Sequence, residues 1–134
     1  MIYFDNAATT FPKPPSVQRA VNKAVLVYGG NPGRSGHRYS LRVAEEIFKA
    51  RAQCAEFFGA RIENVVFTQN CTYALNLAIK GIMADGGHTI ISSLEHNSVA
   101  RPAYALSNKN CTFSIAEVDE NDDVTIENFE RLIT

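Results

Sequence analysis

Apolar positions first recur at helical spacing after a cluster of prolines. Pro12, Pro14 and Pro15 exclude helix up to about Ser16, because proline lacks the amide donor and restricts the residue before it. From there Val17, Ala20, Val21, Ala24, Val25 and Tyr28 share one helix face, and Gly29-Gly30 end it. Ahead of this helix, Ile2 to Phe4 is a short apolar stretch, and Asn6 to Thr10 is small and polar, as in a loop. Behind it, Asn31 to Gly36 forms a second loop of residues that tolerate unusual backbone angles. Leu41, Ala44, Ile47, Phe48, Ala55 and Phe58 then mark the longest predicted helix, with Ser40 as its expected cap and Gly59 as its stop. Arg42, Glu45, Glu46 and Lys49 fall on its water-facing side.

Further along, Val65-Val66-Phe67 reads as a short buried strand. Cys71 to Met83 has helical period through Ala74, Leu75, Ala78 and Ile82. Thr89 to Ser93 is a second strand, and Asn97 or Ser98 opens a helix that crosses Pro102. Cys111 to Val118 is a third strand, Asp119 to Asp123 an acidic turn, and Thr125 caps a last helix through Phe129, Leu132 and Ile133. Strand, helix, strand, helix, strand is the order of a parallel α/β sheet. No repeat, linker or low-complexity tract divides residues 1–134, so one unit without an internal boundary is expected.

Composition narrows the function classes. Lys plus Arg is 13 and Asp plus Glu 14, a net charge of −1, which argues against a nucleic-acid or anionic-membrane partner held by charge. Hydrophobic residues make up 46% and charged residues 20%, the balance of a packed chain. Cys54, Cys71 and Cys111 form neither a disulfide framework nor a CxxC metal pair, so a reducing compartment is expected. No apolar run is long enough to span a bilayer, and Met-Ile-Tyr-Phe-Asp is not the start of a signal peptide. A cytoplasmic location is the expectation.

Three segments carry candidate chemistry. In Phe67-Thr68-Gln69-Asn70-Cys71-Thr72 a strand gives way to a polar turn and a helix start, where free amide donors and the helix dipole suit a phosphate. On this segment alone, plain capping by Asn70 or Thr72 is the stronger reading, since there is no glycine-rich loop or Walker lysine. In Ser92-Ser93-Leu94-Glu95-His96-Asn97-Ser98 a polar cluster sits at the carboxyl end of a strand, where open α/β sheets bind ligands. His96 there can stack on a planar cofactor, donate a hydrogen bond or move a proton; an idle, exposed imidazole fits equally well. In Asn31 to His37, Arg34 and His37, with Arg38 beside them, could grip a carboxylate or phosphate, although a solvated loop is the commoner use of such residues. Glu117, Asp119, Glu120, Asp122 and Asp123 lack the glycine and terminal glutamate of an EF-hand, so no metal site is expected.

Taken in order, Tyr3-Phe4-Asp5-Asn6-Ala7-Ala8-Thr9-Thr10, Gly30-Asn31-Pro32 with Arg34-Ser35-Gly36-His37, Val66-Phe67-Thr68 with Thr72 and Asn76-Leu77, and Glu95-His96-Asn97-Ser98 resemble the cysteine desulfurase family, the class V aminotransferase branch of pyridoxal-phosphate enzymes. The resemblance covers essentially the whole chain. It implies an α/β fold, the N-terminal part of the large, mainly parallel-sheet domain of an aminotransferase-like enzyme. It also implies pyridoxal 5'-phosphate as cofactor, cysteine or an analogue as substrate, a homodimer, and a sulfur-acceptor protein that serves iron–sulfur or thiocofactor assembly. Carried over, Asn70, Cys71 and Thr72 would hold the cofactor phosphate. His96 would stack on the ring and assist proton transfer. Asn6, Ala7 and Ala8 would line the substrate pocket, and Arg34 and His37 would lie near its mouth or the dimer interface.

The sequence departs from the family in two ways. Asn70-Cys71-Thr72 stands where Gly-Thr-Thr or a close variant is usual, and Tyr73 follows where an acidic residue is common. Second, the family's cofactor-bearing lysine, the aspartate that pairs with the pyridine nitrogen and the sulfur-accepting cysteine lie further along than Thr134, and Lys13, Lys23, Lys49, Lys80 and Lys109 match no family lysine motif. The resemblance therefore implies that residues 1–134 alone are inactive. In the family fold the strand at Val65 to Phe67 is also separated from the next two by strands formed later, so this stretch alone is expected to associate or rearrange. Other readings remain: a different class V enzyme, such as a selenocysteine lyase or an aminotransferase, or a noncatalytic phosphate-binding module.

Overall fold

The computed structural model describes residues 2–34, 36–107, 110–121 and 123–134. Ser35 of the second loop, Lys109 of the lysine set and Asp122 of the acidic run lie outside the described residues. The chain divides into two compact units, Met1–Val66 and Phe67–Thr134.

The first unit is helical. Pro15 supplies the first residue of α1 (Pro15–Lys23), where its missing amide costs nothing. The helix continues as a π turn over Ala24–Tyr28 and ends at Gly29, whose φ is +54°. The expected single helix is thus two geometries in series. The ammonium of Lys23 and the guanidinium of Arg42 each sit over the Tyr28 ring, at 5.4 and 5.3 Å. α2 (Arg38–Phe57) is the long helix that the apolar spacing predicts, but its cap is His37 rather than Ser40. The His37 Nδ1 accepts the Ser40 amide at 3.3 Å, and the buried Ser40 hydroxyl meets Nε2 of the same ring at 3.1 Å. Leu41 and Phe48, on the expected apolar face, are more than half exposed. A short 3₁₀ turn, Ile62–Asn64, follows.

Val65-Val66-Phe67 forms no strand, a correction to the sequence reading: among the described residues the sheet holds two strands. Val65 is extended (φ −92°, ψ 118°), but Val66 is 72% exposed. Strand-forming residues adopt a ladder only against neighbours that they can pack on.

The second unit alternates helix and strand, which makes the chain α/β: α3 (Cys71–Ile82), β1 (Gly87–Ser92), α4 (Asn97–Leu106), β2 (Cys111–Ala116) and α5 (Ile126–Glu130). β1 and β2 are parallel, in register from Gly87 opposite Cys111 to Ser92 opposite Ala116. Met83, Ile91, Ala103, Cys111 and Ala116 are buried between sheet and helices, and the Cys111 thiol donates to the Met83 carbonyl at 3.5 Å. Pro102 is buried inside α4. Thr125 caps α5 as expected: Asn128 Oδ1 accepts the Thr125 amide at 2.7 Å. That helix stops at Glu130, short of Leu132 and Ile133. No helix of the described residues is long and apolar enough to cross a membrane.

Candidate functional site

The two strongest sequence candidates meet in the second unit. Asn70 is extended (φ −165°, ψ 168°) and caps α3. Its side-chain oxygen accepts the Tyr73 amide at 2.8 Å, and its carbonyl accepts the Ala74 amide at 3.1 Å and the Thr68 hydroxyl at 3.0 Å. The capping role open to Asn70 in the sequence is therefore real. It leaves the amides of Cys71 and Thr72, the first two of the helix, with no acceptor inside it. Twelve residues of aligned peptide dipoles stand behind them.

β1 ends at Ser92, and its carboxyl end runs directly into the second candidate. Ser93 donates its amide to Ala116 at 2.9 Å, and the Ser92 hydroxyl donates to Glu95 Oε1 at 3.2 Å. These bonds deliver His96 to the start of α4. Here the cap is His96 itself, not Asn97 or Ser98. Its Nδ1 accepts the Ser98 amide at 3.1 Å and lies 2.9 Å from the Ser98 hydroxyl. With Nδ1 committed as an acceptor, the neutral ring carries its proton on Nε2. Ser98 is buried, so the ring is held by a group that is itself fixed.

A cleft of about 400 Å³ lies between α3 and α4, and both Thr72 and His96 line it. Asn76 and Lys80 extend the α3 wall at successive turns, and Arg101 extends the α4 wall. Asn76 donates to the Thr72 carbonyl at 3.0 Å. Asn76, Lys80 and Arg101 did not stand out in the sequence as site residues. The signal was there for α3, since Thr72, Asn76 and Lys80 are spaced by four, but a shared wall needs the partner helix to give it meaning.

The remaining candidates stand elsewhere. Cys71 is exposed and is the first residue of α3. Asn6, Ala7, Ala8, Arg34 and His37 belong to the first unit and are exposed. Asn6 folds its own loop: its amide group donates to the Tyr3 carbonyl at 3.0 Å and its oxygen accepts the Phe11 amide at 3.1 Å. His37 is occupied as the α2 cap. Within the acidic run, Asp119 Oδ1 accepts the amides of Asn121 and Asp123, at 2.8 and 3.0 Å. These bonds, from Asp123 first, hold the Asp119 carboxyl below the usual aspartate range. Among the described residues no group of ligands could hold a metal ion.

Comparison with known proteins follows the same lines. The family model described as Aminotransferase class-V matches residues 2–134. The chain is 34% identical over 135 residues to the cysteine desulfurase IscS of Shewanella amazonensis, covering 96% of this chain and 33% of that protein. It is 30% identical over 120 residues to a probable cysteine desulfurase of Methanothermobacter thermautotrophicus, covering 89% of this chain and 30% of that protein. Its fold matches the apo structure of a cysteine desulfurase from Thermococcus onnurineus NA1 with a TM-score of 0.84 at 30% identity, over 97% of this chain and 33% of that one. The chain thus spans about a third of the length of the relatives it matches.

Proposed function

The chain belongs to the class V aminotransferase family, and from that premise we propose that it forms the phosphate-gripping part of a pyridoxal-phosphate-dependent cysteine desulfurase. The observation that carries this reading is that Thr72 and His96, at the starts of two different helices, line one cleft. The residues present fit the group. Two helix amides without an intrahelical acceptor suit a phosphate. The cleft volume of about 400 Å³ falls in the range of small-molecule sites, roughly 300–1,000 Å³. The substitution of Asn70 and Cys71 for a flexible glycine and a hydroxyl removes one donor but none of the backbone donors.

In this reading the amides of Cys71 and Thr72 and the Thr72 hydroxyl bind the phosphate, and Asn70 sets the angle at which α3 presents them. His96 lies against the ring, its tautomer set by Ser98, and Nε2 is the atom through which it would give or receive a proton. When bound, pyridoxal phosphate supplies the electron sink that lets bonds at the substrate's amino-bearing carbon break. The overall reaction breaks the carbon–sulfur bond of L-cysteine, leaves L-alanine and passes the sulfur to an enzyme thiol as a persulfide. Family motifs alone support substrate-pocket roles for Asn6, Ala7, Ala8, Arg34 and His37, a homodimer, and delivery to a sulfur-acceptor protein. The absence of a cysteine framework supports a cytoplasmic setting. No lysine of this chain matches the family's cofactor-bearing motif, so residues 1–134 alone should not turn over cysteine.

In an enzyme containing these residues, Thr72→Ala should weaken cofactor retention about tenfold or more, as expected when a hydrogen bond to a charged group is lost. His96→Ala should shift the cofactor's visible absorbance. Unchanged absorbance and retention in both variants would remove the two assignments. Alanine formation by residues 1–134 with added cofactor would remove the claim of inactivity.

A further inference from the structure

Besides Thr72 and His96, the α3–α4 cleft is lined by two cations, Lys80 and Arg101. Lys80 lies eight residues beyond Thr72, about 12 Å along α3 at 1.5 Å per residue. Arg101 lies five residues beyond His96. Both line the cleft, and no acidic side chain does. A carboxylate one turn away on the same helix could pair with either cation. Here the positions four residues before and after Lys80 are Asn76 and Ala84, and those around Arg101 are Asn97 and Ala105. Among the described residues the salt bridges are Glu46–Lys49 and Arg61–Glu63, neither of which involves Lys80 or Arg101. Both cations are exposed, so their repulsion is screened by solvent, and an anion lying between them would gain from both charges.

We propose that the stretch of this cleft lined by the exposed Lys80 and Arg101 is a second anion site, in which the two bind the phosphoryl group of a small molecule. An ammonium and a planar guanidinium together can serve a tetrahedral dianion, the lysine as a mobile point charge and the arginine through two parallel N–H donors. Side chains on a helix lean toward its N-terminus. On the α3 wall, Asn76 lies one turn before Lys80, between it and Thr72. The site is distinct from the amides of Cys71 and Thr72 and does not depend on the cofactor reading.

The test titrates an enzyme containing these residues with inorganic phosphate, and separately with pyrophosphate, at constant ionic strength made up with chloride. Amide chemical shifts and calorimetry report binding. The expected result is saturable binding with shifts centred on Asn76 to Lys80 and on Arg101. Lys80→Gln and Arg101→Gln should each weaken it about tenfold, as loss of a charge-assisted contact does, while Lys80→Arg retains it and Lys49→Gln, a charge change on α2, leaves it within twofold. Circular dichroism of each variant shows that α3 and α4 persist. The proposal is overturned by the absence of saturable phosphate binding, by equal shifts with chloride alone, or by tighter binding of acetate than of phosphate. Loss in Thr72→Ala with none in Lys80→Gln or Arg101→Gln would also overturn it, leaving a single site at the helix start. Failure of the cofactor assignments with binding at Lys80 and Arg101 intact would separate the two readings.

Discussion

An imidazole caps two of the helices in this chain, and in both cases a serine in the first turn is what the sequence draws attention to. His37 and His96 each place Nδ1 where an asparagine oxygen would sit, accepting the amide of Ser40 or Ser98. The serines rank high as caps by propensity, but they lie inside the first turn, with their hydroxyls against the same ring. His37→Ala should lower stability by about 1 kcal/mol, and His37→Asn should recover most of it; urea denaturation followed by circular dichroism measures both, and an alanine variant as stable as the parent would refute the role. Asp119 makes a second prediction at this scale. Its carboxyl is pulled down because the charged form accepts backbone amides, from Asp123 first. A depressed native value favours the ionised turn above the unfolded aspartate value, and that stabilisation disappears as pH falls through the lowered native value. A carbon-13 titration should place the Asp119 midpoint below that of an unstructured aspartate, with amide exchange at Asn121 and Asp123 rising as it protonates. A midpoint at or above the unstructured value would contradict the turn.

Among the elements, α2, α3 and β2 were legible from periodicity, because each carries several apolar positions at one period, whereas β1 showed only in its short β-branched run Thr89-Ile90-Ile91. Their ends were less so. The π turn at Ala24–Tyr28 keeps the same residues apolar as a continued helix would, so spacing could not separate the two. The stretch Val65 to Phe67 has strand composition without a strand's neighbours. At the site, Thr72 and His96 were legible because each begins a helix. Lys80 and Arg101 were not, since only the packing of α3 beside α4 makes them face one hollow. Gly30 gives an element-scale prediction within the first unit. A Cβ there would lie 2.6 Å from the carbonyl carbon and oxygen of Tyr39 and 2.8 Å from the Ser40 nitrogen. The chain entering α2 passes against that helix's own backbone, which cannot yield as a flexible side chain can. Gly30→Ala should therefore cost about 1–3 kcal/mol, with a matching fall in the urea midpoint; Gly36→Ala, which meets nothing within 4 Å, is the control that should change it little.

For the whole molecule, the surface area is the deciding quantity. A folded monomer of 14.8 kDa exposes roughly 7,000 Å², and even two separate units of half that mass would together expose roughly 8,400 Å². This chain exposes 10825 Å². Much of the excess is apolar: Phe4 is 92% exposed, Leu26 and Phe57 82%, and Ile82 81%. In the second unit Ile91, Tyr104, Phe113 and Ile115 surround an uncovered hollow of about 430 Å³, beside a two-stranded sheet. Two parallel strands leave hydrogen-bonding edges that recruit other chains, and a net charge of −1 supplies little repulsion to keep copies apart. Residues 1–134 expressed by themselves should therefore self-associate, with a light-scattering mass above the monomer's and strong binding of a hydrophobic dye. Because burial of apolar surface drives the association, raising salt should not disperse it, whereas low urea should. A monodisperse monomer that melts cooperatively and ignores the dye would mean that these side chains find cover within a single copy.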